Sequence, residues 1–155
     1  VWRAMGGVMG MCICNDRRWP ETYRVMGLKG VEMIMLGYNT PSTEPPWGFE
    51  PTHLSTLHNN LSMQAGAYQN STWVVGVAKA GREEGCDMLG GTLIAAPTGE
   101  IVAQARTLGD ELIVADCDLD ACARYKETVF NFAEHRQPDQ YGIITSQAGA
   151  TPPPE

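Results

Sequence analysis

The fold is decided by a short stretch near the start of the chain, residues 7–21, which read GVMGMCICNDRRWPE. The run Gly7–Ile13 is apolar and bounded by glycines, which is typical of a buried strand. An acidic residue and a proline then stand where a helix commonly begins, so we expect a helix over residues 20–29, ended by Gly30. A second apolar run at residues 31–36 completes a strand–helix–strand unit, which favours parallel strands.

Downstream of this unit the chain continues to alternate between helices and strands. Residues 38–51 contain four prolines and are expected to form a loop. Apolar residues at steps of three or four predict an amphipathic helix over residues 52–70. Its expected core face carries Leu54, Leu57, Leu61, Ala65 and Tyr68. The remaining expected elements are strands at residues 73–78, 92–96, 101–105 and 111–115, a turn at 97–100, a short helix over 118–126, and an irregular segment at 128–155.

Together these elements predict one α/β domain in which helices cover one face of a mixed sheet. Two or three helices are too few to cover both faces of a sheet of about six strands, so the other face is left without elements that pack against it. We therefore expect that face to need further chain or a second copy of the protein.

Composition excludes several classes of protein. The 155 residues carry a formal charge of −7 without a basic run, so a nucleic-acid partner is not expected. The longest apolar stretches, such as residues 31–37, fall short of the roughly 18–20 residues that cross a bilayer, so no membrane partner is expected either. The five cysteines lack the regular spacing of a secreted disulfide-rich domain, which favours reduced thiols in the cytoplasm. The chain begins with Val1, which suggests a fragment.

Cys14 lies where the first predicted strand ends, just ahead of the predicted helix. Backbone amides and the helix dipole at such a place stabilise a thiolate and an oxyanion, so Cys14 is a candidate nucleophile. Two other interpretations stay open. A free cysteine often fills a core without reacting. Cys12 and Cys14 could also form a metal or redox pair, although no second cysteine pair or histidine cluster supplies further ligands.

Polar residues next to Cys14, and after the second predicted strand, form a candidate binding site. The guanidinium groups of Arg17 and Arg18 could hold a carboxylate in bidentate fashion. They could equally be solvated, or paired with Glu21. Asn39 and Thr40 follow the second strand, at the sheet edge where α/β proteins bind ligands; otherwise they are turn residues ahead of a proline.

Residues 10–21 resemble the nucleophile segment of the nitrilase superfamily, and more narrowly that of the N-carbamoyl-D-amino-acid amidohydrolases. Three further segments resemble the same proteins. They are residues 33–41 (MIMLGYNTP), 65–74 (AGAYQNSTWV) and 130–136 (FNFAEHR). Within the superfamily, the paired arginines and the Tyr-Asn-Thr-Pro loop are the features that resemble the N-carbamoyl-D-amino-acid amidohydrolases, or carbamoylases, in particular.

This resemblance implies a four-layer αββα sandwich of about twice the present length, usually assembled as dimers or tetramers. It also implies a Glu-Lys-Cys triad whose Glu and Lys lie upstream of the nucleophile, and neither residue type occurs before Cys14. The chain is therefore expected to be a C-terminal half, with residues 1–127 in the hydrolase domain and 128–155 as an extension.

The resemblance also implies roles for individual residues and a reaction. Cys14 matches the nucleophile and Asn15 the residue whose backbone amide helps to bind the oxyanion. The positions that match the binding site for the substrate carboxylate and its polar neighbours are Arg17, Arg18, Asn39 and Thr40. The implied reaction hydrolyses an N-carbamoyl-D-amino acid to the D-amino acid, ammonia and carbon dioxide without a metal or cofactor. The alternatives are another amidase or ureidopropionase of the superfamily, or an inactive truncated chain.

Overall fold

The computed structural model describes residues 1–42 and 50–154, which contain eight strands and five α-helices. The strands are β1 (Trp2–Ala4), β2 (Gly7–Ile13), β3 (Met33–Tyr38), β4 (Trp73–Ala78), β5 (Arg82–Glu83), β6 (Cys86–Asp87), β7 (Leu93–Ala95) and β8 (Ile101–Gln104). The helices are α1 (Pro20–Leu28), α2 (Thr52–Asn70), α3 (Ala123–Lys126), α4 (Phe132–His135) and α5 (Gly142–Ser146). Short 3-10 turns lie at Cys14–Arg18, Leu119–Cys122 and Pro138–Gln140.

Six strands form one mixed sheet in the order β1-β2-β3-β4-β7-β8. The three central strands β2, β3 and β4 are parallel, as the strand–helix–strand unit predicts, and the outer pairs are antiparallel. Ile13 of β2 pairs with Gly37 of β3, and Gly37 pairs with Val77 of β4. The carboxyl ends of the parallel strands are therefore level, and the residues that follow them meet at one edge.

Helices α1 and α2 cover one face of the sheet, which confirms the predicted α/β class. Their buried side chains pack on alternate residues of the central strands, because successive side chains of a strand point to opposite faces. The two helices approach closely at Gly66, where a Cβ atom would lie 2.5 Å from the Tyr23 ring. The members of this core include Cys12, Tyr23, Met26, Ile34, Leu36, Tyr38, Met63, Ala67 and Val74.

The predicted core face of α2 is wrong. Leu57 and Leu61 are 53% and 56% exposed, whereas Ser55 and Asn59 are buried. The helix turns a partly polar face inward because it packs over the edge of the sheet where buried polar groups need hydrogen-bond partners. The buried residues of α2 are Ser55, Asn59, Met63, Gly66, Ala67 and Asn70.

The second face of the sheet is only partly covered. Residues 113–119 lie against Trp73 and Ile94 and bury part of it. The predicted strand at 111–115 is wrong, because this segment packs through its side chains and pairs with no strand in the part of the chain described. Toward β2 the face is open, where Met11 is 63% and Ile13 is 70% exposed.

The remaining differences from the sequence-based expectation concern short elements. Strand β1 and the β5–β6 hairpin were not predicted, since two or three residues carry no periodic signal. The C-terminal segment forms short helices where an irregular chain was expected, and Phe130 packs edge-on against Tyr68 with ring centroids 4.9 Å apart. The predicted loop starts one residue later than expected, since Tyr38 ends β3, and its residues 43–49 lie outside those described. Within the described ranges, no helix has both the length and the hydropathy required to cross a membrane.

The close approach of α1 and α2 yields a test of the packing. The Gly66→Ala substitution places a methyl group against the buried Tyr23 ring, and such overpacking costs about 1–3 kcal/mol. This exceeds the ~1 kcal/mol that alanine gains over glycine in a helix. We expect a decrease of a few degrees in Tm. The control Gly37→Ala, whose Cβ would have no neighbour within 4 Å, should leave Tm nearly unchanged; equal effects would contradict the observed helix crossing.

Candidate active site

An open cavity of about 370 Å3 lies at the carboxyl edge of the parallel strands. It brings together every site residue that the sequence predicted. The residues that line it are Cys14, Asn15, Arg17, Arg18, Asn39, Thr40, Pro41, Glu50, Ser55 and His58.

Cys14 occupies a strained turn between β2 and α1. Its φ of +48° lies in the left-handed region, which costs a non-glycine residue about 1–2 kcal/mol. Two charged groups hold the turn: Arg17 Nη1 donates to the Cys14 carbonyl at 2.6 Å, and the Ile13 amide donates to Asp16 Oδ2 at 3.0 Å. Charge-assisted hydrogen bonds contribute about 1.5–3 kcal/mol each, which is enough to offset the strain. The turn therefore keeps the half-buried Cys14 side chain at the cavity.

Cys12 lies only two residues away but in a different environment. Its side chain is 9% exposed and belongs to the core beneath α1 and α2. Burial, followed by the charge of Asp16, raises the pKa of the Cys12 thiol to about 11. Cys12 is thus a core residue, and Cys14 is the thiol that lines the cavity.

Arg17 is buried at the wall of the cavity, with 1% of its surface exposed. Its Nε donates to Asn59 Oδ1 at 3.0 Å and its Nη2 donates to Thr40 Oγ1 at 2.7 Å. The guanidinium carbon lies 4.1 Å from the centre of the Tyr38 ring. No carboxylate forms an ion pair with Arg17 among the described residues. Arg17 is therefore neither a solvated surface residue nor a partner of Glu21, while its role in binding substrate stays a prediction.

Arg18 differs from Arg17 in that it faces the cavity as an exposed side chain. Over residues 1–42 and 50–154 its guanidinium has neither a hydrogen bond nor an ion pair. Its five N–H donors are therefore available to a ligand.

Asn39 and Thr40 lie opposite Cys14, directly after β3. The Cys14 Sγ lies 3.8 Å from Asn39 Oδ1. The Thr40 carbonyl accepts a hydrogen bond from the Leu89 amide at 2.7 Å, which fixes this segment to the chain ahead of β7. Asn15 is exposed at the second position of the Cys14–Arg18 turn, and its oxyanion role stays a prediction.

The sequence analysis missed a group of polar residues in the first turns of α2 and just ahead of it. His58 Nδ1 lies 2.9 Å from Glu50 Oε2, and Ser55 Oγ donates to Glu50 Oε1 at 3.3 Å. All three line the cavity. Polar residues at positions 55, 58, 59 and 62 recur at the helical period, and this spacing was the signal that could have revealed the inward polar face.

A second layer of hydrogen bonds lies behind the cavity wall. Asn59 Nδ2 donates to the Tyr38 hydroxyl at 3.1 Å, and that hydroxyl donates to the Gly91 carbonyl at 3.1 Å. Burial raises the pKa of Tyr38, so its hydroxyl keeps the proton that it donates. The network therefore joins α2, β3 and the segment before β7.

A family model described as carbon-nitrogen hydrolase matches residues 2–127, which include the whole Cys14–Thr40 region. The chain belongs to the carbon-nitrogen hydrolase family. The matched residues include the six-stranded sheet, helices α1 and α2, and the described residues that line the cavity.

Individual relatives agree with this assignment. An N-carbamoylputrescine amidase from Arabidopsis thaliana is 30% identical over 157 residues, which cover 96% of this chain and 51% of the relative. A citrullinase from Francisella tularensis is 29% identical, and the match covers 93% of this chain and 50% of the relative. The chain spans about half the length of the curated relatives it matches.

A solved structure shows that the fold is shared. The carbon-nitrogen hydrolase from Helicobacter pylori G27 superposes with a TM-score of 0.79 at 20% identity, over 92% of this chain and 50% of that one. The fold of the described residues is therefore that of one half of such a protein.

The contrast between Cys14 and Cys12 yields a test of thiol reactivity. Near neutral pH, iodoacetamide should modify Cys14 much faster than Cys12, because the Cys12 thiol is buried and its pKa of about 11 keeps it protonated. Cys12 labelling should rise only as the pH approaches that value. Peptide mass spectrometry gives both rates, and Cys14→Ala is the control that removes the fast site. Equal labelling of the two thiols at neutral pH would contradict the site as described.

Proposed function

We propose that this chain supplies the C-terminal half of a carbon-nitrogen hydrolase that cleaves N-carbamoyl-D-amino acids, with Cys14 as the nucleophile. The observation that carries the proposal is the pairing, in one cavity, of a strained cysteine with Arg18, an arginine that has no partner among the residues that the structure describes. The cysteine supplies an attacking atom, and the arginine supplies a site for a carboxylate.

The proposed reaction begins with attack of the Cys14 thiolate on the ureido carbon. An S–C bond forms, the C–NH2 bond breaks, and the nitrogen takes up a proton and leaves as ammonia. Water then cleaves the S–C bond and regenerates the thiol. The resulting N-carboxy amino acid decomposes to carbon dioxide and the free amino acid.

In this proposal the catalytic groups come both from this chain and from the upstream half of the enzyme. The Asn15 backbone amide and the upstream Lys stabilise the oxyanion, and the upstream Glu transfers protons. These groups suffice for the steps above, so the proposed mechanism uses no metal or organic cofactor.

The substrate carboxylate is the group that we expect the cavity to select. Arg18 would bind it directly, Asn39 and Thr40 would bind the neighbouring polar atoms, and Arg17 adds positive charge to the wall. A simple nitrile or amide lacks a carboxylate and gains nothing from these contacts. The D configuration, a dimeric or tetrameric assembly and a cytoplasmic location are part of the same proposal and rest on the resemblance.

A second candidate function has its own support in the cavity. Glu50 places a carboxylate on the wall of the same cavity, where it would suit a cationic substrate such as a carbamoyl diamine. The similarity to an N-carbamoylputrescine amidase points the same way. The two candidates differ in the charge at the end of the substrate away from the ureido group.

The nucleophile is tested in the full-length protein that contains this chain. Cys14→Ala should reduce kcat on N-carbamoyl-D-alanine by more than about 10⁴-fold, because the covalent route is lost. Cys117→Ala changes a cysteine outside the cavity and should leave kcat near the wild-type value. Turnover that survives the Cys14 substitution would overturn the proposal, and an inactive wild-type protein would favour a chain without catalytic function.

The substrate class is tested by one arginine and two substrates. Arg18→Ala should raise KM for N-carbamoyl-D-alanine about 10- to 100-fold, the cost of one charge-assisted contact, and leave KM for N-carbamoylputrescine within about twofold. Arg3→Ala, an exposed arginine on β1, serves as the control. An equal rise in KM for both substrates would show that Arg18 does not select a carboxylate. Turnover of N-carbamoylputrescine alone would favour the second candidate.

A further inference from the structure

We propose that Asn59 is a positioning residue that holds the Arg17 guanidinium at the wall of the cavity with a neutral acceptor, so that the positive charge of Arg17 stays available to the substrate carboxylate. Asn59 acts through Arg17, because it is not itself among the residues that line the cavity. The inference deepens the proposed function and rests on it, since it concerns how the same cavity selects a carboxylate.

The first argument is that Asn59 belongs to a hydrogen-bond chain that can run in only one direction. The Gly91 carbonyl can only accept, so the Tyr38 hydroxyl donates to it at 3.1 Å. The hydroxyl oxygen then accepts from Asn59 Nδ2 at 3.1 Å. This leaves Asn59 Oδ1 to accept from Arg17 Nε at 3.0 Å, and the guanidinium, which can only donate, ends the chain. The side-chain amide is thereby held with its oxygen toward Arg17.

The second argument is the burial of both partners. Asn59 is 4% exposed and Arg17 is 1% exposed, so bulk water cannot easily replace the contact between them. A buried guanidinium that loses an acceptor is left with an unsatisfied donor, which is costly. A leucine at position 59 would bury more apolar surface but would offer no acceptor to Nε. The asparagine is therefore explained by what it does for Arg17.

The third argument is that the acceptors around Arg17 are uncharged. The guanidinium donates to the Asn59 amide oxygen, the Thr40 hydroxyl and the Cys14 carbonyl. Over residues 1–42 and 50–154, no carboxylate forms an ion pair with it. An aspartate at position 59 could also accept from Nε, but its charge would cancel that of the guanidinium. The neutral amide fixes the group and leaves in place the charge that attracts a substrate carboxylate.

The fourth argument is the count of guanidinium donors. The group has five N–H bonds, and three of them point to Asn59, Thr40 and Cys14. One N–H on each terminal nitrogen, Nη1 and Nη2, then has no hydrogen-bond partner among the residues that the structure describes. Arg17 lines the cavity beside Arg18. The two remaining N–H groups suit the two oxygens of a carboxylate, and their direction depends on how the guanidinium plane is held.

The test compares Asn59→Asp with its neighbour Asn60→Asp in the full-length protein that contains this chain. Both variants add one negative charge to α2, but of the two positions it is 59 that is bonded to Arg17. Asn59→Asp should raise KM for N-carbamoyl-D-alanine about 10- to 100-fold, the effect of one charge-assisted contact, with kcat changed less than about threefold. KM for N-carbamoylputrescine, which has no carboxylate, should not rise. Asn60→Asp is the matched control and should leave both KM values within about twofold.

An equal rise in KM for the two substrates would overturn the proposal, because a purely structural role would affect both alike. Unchanged KM values in Asn59→Asp would overturn it as well. If Asn59→Asp does not fold, as judged by circular dichroism, Tyr38→Phe decides alone. This variant keeps the ring beneath Arg17 but removes the hydroxyl that orients the Asn59 amide. KM should then rise about threefold for N-carbamoyl-D-alanine only, and a rise for both substrates or for neither would overturn the proposal.

Binding measured without turnover separates this inference from the proposed function. In a Cys14→Ala background, the Kd for N-carbamoyl-D-alanine from isothermal titration calorimetry should rise about 10- to 100-fold with Asn59→Asp and stay within about twofold with Asn60→Asp. If the wild-type protein hydrolyses no N-carbamoyl compound but these Kd values behave as expected, the proposed reaction fails and the role of Asn59 stands. If the Cys14→Ala protein does not bind N-carbamoyl-D-alanine, the role of Asn59 is overturned.

Discussion

One buried guanidinium connects the parts of the protein that meet at the candidate active site. Arg17 contacts the carbonyl of Cys14 after β2, the hydroxyl of Thr40 after β3 and the amide of Asn59 on α2. Parallel pairing of β2 and β3 brings these strand ends level, and the guanidinium then fixes the distances between them. The same contacts supply the hydrogen bonds without which a buried charge would be costly. The strained turn at Cys14 depends on this support.

The polar inner face of α2 follows from that buried charge. A helix that covers only apolar strands can bury leucines, but a helix that also covers a guanidinium must offer acceptors. The Asn59 side chain supplies such an acceptor through its Oδ1 atom, and its Nδ2 atom donates a hydrogen bond to the Tyr38 hydroxyl. Leu57 and Leu61 consequently lie on the outer side of the helix. The helix therefore buries less apolar surface, and in its place the structure has a polar hydrogen-bond network next to the nucleophile.

The two faces of the sheet differ in how far they are covered. The face beneath α1 and α2 is a closed core that ends at the cavity, whereas Met11 and Ile13 remain exposed on the other face. The match to about half of each relative agrees with a chain whose sheet is fully covered on one face and only partly covered on the other. In the proposed enzyme the upstream half would bring both the cover for this face and the acid–base partners of Cys14.

The sequence by itself determined the α/β class, the parallel central strands, the main helices and the six residues that gather at the cavity. These features follow from local periodicity and from the rule that parallel strands end at one edge, except for Asn15, which was placed in the site only by the resemblance. Only the tertiary structure decided which of two adjacent arginines is buried and which face of α2 turns inward. It also decided that residues 111–115 pack without a strand partner within residues 1–42 and 50–154. The physical reason is that burial and hydrogen-bond partners come from residues far apart in the chain, such as Arg17 and Asn59, whose contact no local pattern encodes.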